Sequence, residues 1–124
     1  LGEILKLKLK ADWIVLSACN TGAAEGAGAE AVSGLGRAFF YAGSRAILVS
    51  MWPVETTSAR QLTSKLFETQ KDDKTLSKAG ALRQSILALM DGPGMKDPVS
   101  GKIAASYAHP FFWAPFIIVG ESGN

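Results

Sequence analysis

The chain has 124 residues, of which 48% are hydrophobic and 19% charged, and its net charge at pH 7 is +2. This length and composition predict one packed domain or part of one over residues 1–124, and so small a positive charge argues against a nucleic-acid partner. The single cysteine excludes an internal disulfide framework and a cysteine-based zinc site, and no metal or other cofactor is predicted. No apolar run approaches the roughly 20 residues of a membrane span, and nothing resembles a signal peptide, which favours a cytoplasmic location.

The chain opens with two stretches of different pattern. Residues 2–10 alternate leucine with lysine, a period of two that is typical of a strand with a solvated lysine face. Residues 13–16 are apolar and predict a strand buried on both faces of a sheet, which leads through small residues to Cys19. A thiol at the carboxyl end of such a strand lies where open α/β sheets form their ligand crevices. Cys19 is therefore a candidate nucleophile, although a lone cysteine more often only packs the core.

Residues 22–34 are rich in glycine and alanine and are predicted to form a loop that can wrap a ligand. Within them, residues 26–31 fit the G-x-G-x-x-[G/A] pattern of dinucleotide-binding proteins. That pattern normally opens directly after a strand, whereas the predicted strand ends well before Gly26, and the lysine-bearing phosphate loop is absent. A nucleotide-binding α/β domain is therefore kept only as an alternative function.

A strand–helix–strand unit is predicted around the next helix. The apolar residues of that helix fall on one face, and Gly43 is a suitable C-terminal cap. Residues 46–50 form a second buried strand. Short links in such a unit imply parallel strands with a right-handed crossover. The loop of residues 51–55 should therefore emerge on the same side of the sheet as Cys19.

Two helices, a long loop and a final strand complete the predicted elements. Thr56 or Thr57 caps the first helix, and Ser77 begins the second. Residues 92–110 form a long loop, and residues 114–120 form a last buried strand. The predicted fold class is α/β, with helices on both faces of a mostly parallel sheet.

Four blocks of the sequence together resemble one known family, in the family's order. The blocks are Leu-Ser-Ala-Cys-Asn-Thr-Gly at 16–22, Gly-Leu-Gly-Arg-Ala-Phe-Phe-Tyr-Ala-Gly at 34–43, Ile-Leu-Val-Ser-Met-Trp-Pro-Val-Glu at 47–55, and His-Pro-Phe-Phe-Trp-Ala-Pro-Phe at 109–116 with Val-Gly at 119–120. They resemble the CHAT domain, a family of caspase-like cysteine peptidases often found beside TPR repeats. The resemblance implies a three-layer αβα caspase-like fold, with this chain as its carboxyl-terminal portion and a short helical turn at residues 2–10.

The resemblance also implies the chemistry of the site. Cys19 is the expected nucleophile, and its backbone N–H contributes to an oxyanion hole in a loop with Asn20 and Gly22. In the family the partner histidine lies upstream of the cysteine strand, whereas the one histidine of this chain, His109, belongs to a different block. This segment is therefore expected to carry the nucleophile without its histidine and to be catalytically silent alone.

The loop after the second strand implies a substrate pocket. In relatives, acidic residues in this Trp-Pro loop help to bind a basic side chain of the substrate. Here Glu55 offers a carboxylate, and Trp52 could form one wall of the pocket. Thr56 stands where many relatives carry Asp. The expected partners are a protein or peptide substrate, the upstream half of the domain and TPR repeats, with no membrane. The main alternative is a non-catalytic protein-interaction domain of the same fold that uses the crevice for binding.

Overall fold

A computed structural model describes residues 2–16 and 27–120, with the backbone alone described for residues 27–33. The helices and strands, in chain order, are β1 Ile14–Leu16, α1 Ala27–Tyr41, β2 Ala46–Ser50, α2 Thr56–Asp72, α3 Lys78–Met90, β3 Met95–Lys96, β4 Ile103–Ala105 and β5 Phe116–Gly120. They confirm the α/β fold class. The chain divides into two compact units, Leu1–Pro53 with Phe116–Glu121, and Val54–Pro115 with Ser122–Asn124.

The first unit is built on a three-stranded sheet with the order β1-β2-β5. β1 runs parallel to β2, from Ile14 opposite Ile47 to Leu16 opposite Val49, as the predicted strand–helix–strand unit requires. β5 runs antiparallel to β2. One of the two pairings is therefore parallel, and the parallel character of the sheet is only partial.

Burial in this sheet is concentrated on its central strand. All five residues of β2 are buried, which agrees with the four apolar residues that begin the strand. Val15 on β1 is 41% exposed, and Ile117 and Val119 on β5 are 40% and 42% exposed. The predictions that residues 13–16 form a strand buried on both faces and that residues 114–120 form a buried strand are wrong in this respect. Within residues 2–16 and 27–120, β1 and β5 each pair with β2 alone and form the two edges of the sheet.

Helix α1 begins earlier than the sequence pattern indicated. It starts at Ala27, so the predicted loop of residues 22–34 is wrong from that point on. Alanine is the strongest helix former and offsets the glycines of this segment. Ala38 and Ala42 are buried, and the chain leaves the helix through Gly43, whose φ of 106° fits the predicted C-terminal cap.

The amino-terminal stretch is a single turn rather than a strand. Ile4–Lys6 form a 3-10 helix, which agrees with the family resemblance. The extended residues that follow are tied down by the backbone N–H of Leu9, which donates to the carbonyl of Ala42. The leucine–lysine alternation predicted a strand, but Leu5 and Leu7 are 52% and 46% exposed. The leucines therefore do not form the buried face that an alternating strand would have.

In the second unit, α2 and α3 pack together as a helical hairpin. Leu62 and Leu66 of α2 are fully buried, and Leu89 of α3 is 3% exposed. Helix α3 begins at Ser77 as predicted, and Ser77 is its N-cap: the hydroxyl accepts a hydrogen bond from the backbone N–H of Gly80 at 3.0 Å. These contacts give the unit its own apolar core.

Residues 92–110 contain more regular structure than the predicted loop. β3 pairs antiparallel with β4 to make a two-stranded hairpin, and the 3-10 helix Pro110–Phe112 follows it. The side chain of Asp97 orders the hairpin tip by accepting a hydrogen bond from the backbone N–H of Val99 at 2.7 Å. Strands of two and three residues are too short for hydrophobic periodicity to reveal.

Candidate functional site

The carboxyl ends of β1 and β2 lie at one edge of the sheet. Leu16, the last residue of β1, stands opposite Val49, and Ser50, the last residue of β2, is 3% exposed. Because the two strands are parallel, the segment that leads to Cys19 and the Trp-Pro loop begin at neighbouring positions of this edge. Cys19 itself, with Asn20 and Gly22, lies outside the residues that the structure describes, so its role as nucleophile stays a prediction.

The Trp-Pro loop leaves this edge with two exposed apolar side chains. Met51 is 57% exposed and Trp52 is 38% exposed. A large aromatic surface of this kind can line a pocket or pack against a ligand. The role of Trp52 as a pocket wall stays a prediction.

Glu55, at the start of the second unit, is the N-cap of α2, so the prediction that Thr56 or Thr57 takes this position is wrong. Its Oε1 accepts a hydrogen bond from the backbone N–H of Thr57 at 2.9 Å, and its Oε2 accepts one from that of Ser58 at 2.8 Å. The Ser58 hydroxyl donates in return to the Glu55 carbonyl at 3.0 Å. Glutamate is not among the preferred N-cap residues, which explains why the sequence pattern pointed to the threonines.

Tyr107 is a functional candidate that the sequence did not reveal. Its hydroxyl donates to Oε2 of Glu55 at 3.3 Å across 52 residues of sequence, and the residue is only 1% exposed. Its ring meets Phe112 edge to face, with the centroids 5.0 Å apart. The bond ties the segment after β4 to the amino terminus of α2.

The hydrogen bonds of Glu55 set the protonation of both partners. Partial burial acts to raise the pKa of Glu55, but the hydrogen bonds from Ser58 and Thr57 outweigh it and hold this pKa below its ordinary value. Burial, together with the negative charge of Glu55, raises the pKa of Tyr107. At neutral pH the tyrosine is therefore protonated and the glutamate ionised, which is the combination that a charge-assisted hydrogen bond needs.

His109 is an exposed capping residue. It precedes the 3-10 helix Pro110–Phe112, and its Nδ1 accepts a hydrogen bond from the backbone N–H of Phe111 at 3.1 Å. An accepting Nδ1 puts the proton of the neutral ring on Nε2. The local role of His109 is thus to order the turn before the last strand.

Two kinds of site are absent from the part of the chain that the structure covers. Among the residues in 2–16 and 27–120, no three His, Cys, Asp or Glu side chains group as they would around a metal ion. Within the same residues, the helices are too short or too polar to cross a membrane.

The parallel strands β1 and β2, joined by helix α1, define an α/β domain. Their carboxyl ends lie at one edge of the sheet, and the candidate site is at that edge. The chain matches the CHAT domain family over residues 1–121 and belongs to this caspase-like family, which confirms the resemblance seen in the four sequence blocks. It is 28% identical over 119 residues, 96% of its length, to Tetratricopeptide repeat protein 28 of Homo sapiens. It spans only 4% of that relative's length. No solved structure matches the chain.

Proposed function

We propose that this chain supplies the nucleophile of a caspase-like cysteine peptidase, which hydrolyses amides of protein or peptide substrates through a thioester on Cys19. Membership of the CHAT family supports the general kind of protein. The observation that carries the proposal is the parallel pairing of β1 with β2, in which Leu16 and Val49 lie opposite each other shortly before Cys19 and Trp52 along the chain. Open α/β sheets bind their ligands at such an edge.

In the proposed reaction the thiolate of Cys19 attacks the carbonyl carbon of the scissile amide, forming the C–S bond while the carbonyl electron pair moves onto oxygen. The backbone N–H of Cys19, in the loop with Asn20 and Gly22, stabilises that oxyanion. When the carbonyl re-forms, the C–N bond breaks and the amine leaves with a proton from the general acid. Water then hydrolyses the thioester, which releases the carboxylic acid and restores the thiol.

The general base of this proposal is a histidine from outside residues 1–124. The position of His109 supports this assignment, because its Nδ1 is engaged in a local turn. Residues 1–124 alone are therefore expected to cleave no peptide, and adding the upstream segment of the domain is expected to produce Cys19-dependent cleavage. Cleavage by residues 1–124 that both Cys19→Ala and His109→Ala remove would instead make His109 the base.

Glu55 and Trp52 are assigned to the pocket for a basic substrate side chain. The low pKa of Glu55 supports this role, since an ionised carboxylate pairs well with a cation. Glu55→Gln should lower kcat/KM for basic peptides more than for neutral ones. Glu68→Gln, which changes another partly exposed carboxylate on α2, should leave that ratio unchanged. An unchanged ratio in Glu55→Gln would remove Glu55 from the pocket.

The protein partners are a peptide substrate and TPR repeats that adjoin the domain, with a cytoplasmic location. The similarity to a tetratricopeptide repeat protein supports the repeat partner. In the alternative function, the domain keeps the fold without catalysis and binds protein at the same sheet edge. Nucleotide binding has less support, because β1 ends at Leu16 and the glycine pattern at residues 26–31 does not follow it directly.

A thiol-directed peptide electrophile with a basic residue tests the peptidase proposal in the full-length protein that carries these residues. Cys19 should react faster in the folded protein than in urea-denatured protein, because a nucleophilic cysteine is held as thiolate. Cys19→Ala should abolish labelling and cleavage while leaving the thermal unfolding midpoint nearly unchanged. Equal or slower labelling in the folded protein, without cleavage, would identify Cys19 as a packing residue and favour the interaction domain.

A further inference from the structure

The carboxylate of Glu55 has nearly all of its hydrogen-bonding capacity occupied. Oε2 accepts from the backbone N–H of Ser58 at 2.8 Å and from the hydroxyl of Tyr107 at 3.3 Å. Oε1 accepts from the backbone N–H of Thr57 at 2.9 Å. A carboxylate offers about four lone-pair positions, two on each oxygen. Both positions on Oε2 and one on Oε1 are filled by these three bonds, and the side chains of Ser58 and Thr57 also hydrogen-bond to the carboxylate.

The two oxygens also differ in their access to solvent. The hydrogen bond from Thr57 to Oε1 is exposed, whereas both bonds to Oε2 are partly buried. Tyr107, which covers Oε2, is 1% exposed. A ligand that approaches Glu55 from solvent therefore reaches Oε1 and finds Oε2 already covered.

The Tyr107 hydroxyl is held in place by the ring that carries it. The ring contacts Phe112 edge to face at 5.0 Å, and Phe112 in turn contacts Phe111 edge to face at 5.4 Å. Phe112 is only 6% exposed. Because the Tyr107 ring is buried against Phe112, its phenol oxygen is held beside Oε2 of Glu55.

Lysine and arginine make different demands on such a carboxylate. A guanidinium pairs best through two parallel N–H···O bonds, one to each carboxylate oxygen, whereas an ammonium needs only one acceptor. From this geometry we infer that Tyr107 is a specificity-determining positioning residue, which blocks the two-oxygen arrangement at Glu55 and makes the site select lysine over arginine side chains. The inference rests on the proposed role of Glu55 in binding a basic substrate residue, and it goes further by naming which basic residue and why.

The test compares two peptides that differ only in a lysine or an arginine at the basic position. Binding is measured by fluorescence anisotropy with the Cys19→Ala full-length protein, where cleavage cannot interfere, and cleavage is measured with the intact protein. The unaltered site should favour the lysine peptide several-fold in both assays. Tyr107→Phe keeps the ring on Phe112, frees Oε2 and should raise the arginine-to-lysine ratio about ten-fold, the typical effect of one charge-assisted hydrogen bond.

Trp113→Phe is the matched control. It also removes one hydrogen bond from the same segment, that from Nε1 of Trp113 to the carbonyl of Ala108 at 3.1 Å, without touching Glu55. It should leave the arginine-to-lysine ratio unchanged, whereas a general loosening of the segment would move the ratio equally in both variants and overturn the inference.

The outcomes separate this inference from the peptidase proposal. Lysine-selective binding without Cys19-dependent cleavage would support the role of Tyr107 and reject the peptidase. Cleavage that favours arginine in the unaltered protein, or a ratio that Tyr107→Phe leaves unchanged, would reject the role of Tyr107 and keep the peptidase. Neither binding nor cleavage of either peptide would reject both. An arginine preference of the unaltered protein would reject the role of Tyr107 even if Tyr107→Phe does not fold.

Discussion

The backbone carbonyl of Leu9 lies against Gly43 where a side chain would stand, and Gly43 has a φ of 106° that L residues rarely adopt. Gly43→Ala should therefore lower the free energy of unfolding of the domain by about 2 kcal/mol or more, measured by urea unfolding. Gly34→Ala in α1 is the control, because its added Cβ meets no atom of another described residue within 4 Å, apart from the backbone of its own helix. That change should stabilise the domain by about 0.5–1 kcal/mol. Similar effects at the two glycines would contradict this account of Gly43.

Acid should weaken the domain through Glu55. Because the folded pKa of Glu55 is lowered, its stabilisation is present above the unfolded pKa of about 4.3 and is lost as pH falls through the folded pKa. Glu55→Gln should thus be destabilising at pH 7, and its stability curve should approach that of the unaltered domain as pH falls through the folded pKa of Glu55. Glu68→Gln, which removes only an exposed 3.2 Å ion pair with Lys65, should change little at either pH. Curves that stay parallel down to acid pH would contradict the assignment.

The core between α2 and α3 should depend on Leu62. This side chain is fully buried, so Leu62→Ala should cost about 2–5 kcal/mol of unfolding free energy through lost burial and the cavity left behind. Leu87→Ala makes the same chemical change on α3 at a side chain that is 42% exposed, and it should cost less than about 1 kcal/mol. Equal losses in chemical denaturation would show that the hairpin does not pack through Leu62.

Strand β5 should promote self-association of residues 1–124 in isolation. It lies at an edge of the described sheet, with Ile117 and Val119 about two-fifths exposed, and apolar edge strands pair readily with other chains. Ile117→Lys should shift the sedimentation profile toward the monomer. Val99→Lys, at a hairpin tip that is 94% exposed, adds the same charge away from this edge and should not. If both variants act alike, net charge rather than the β5 edge controls association.

The elements that could be predicted from the sequence are those specified by local signals. β2 begins with four apolar residues in a row, and Gly43 follows the end of α1. Ser77 caps α3 through its own hydroxyl oxygen, which accepts a hydrogen bond from the backbone N–H of Gly80. The direction of β5 could not be predicted, because an apolar strand has the same pattern whether it pairs parallel or antiparallel.

Only part of the candidate site could be predicted from the sequence. Glu55 was singled out as a carboxylate, but its capping role depends on the conformation of the chain around it. The hydrogen bond from Tyr107 joins residues 52 positions apart, and no periodicity or motif encodes such a pairing. Cys19 lies outside the described residues, so its assignment still rests on sequence and family.

The capping of α2 by Glu55 has consequences for the order of folding. The hydrogen bonds from Thr57 and Ser58 to Glu55 join residues within one turn of helix. The hydrogen bond from Tyr107 joins residues that are 52 positions apart. Loop closure is entropically costly, so local bonds form early and distant ones late in a folding reaction. The Tyr107 hydrogen bond is therefore expected to form late, so Tyr107→Phe should speed unfolding and leave the folding rate nearly unchanged. A residue that takes no part in starting the capped helix should then lengthen its lifetime.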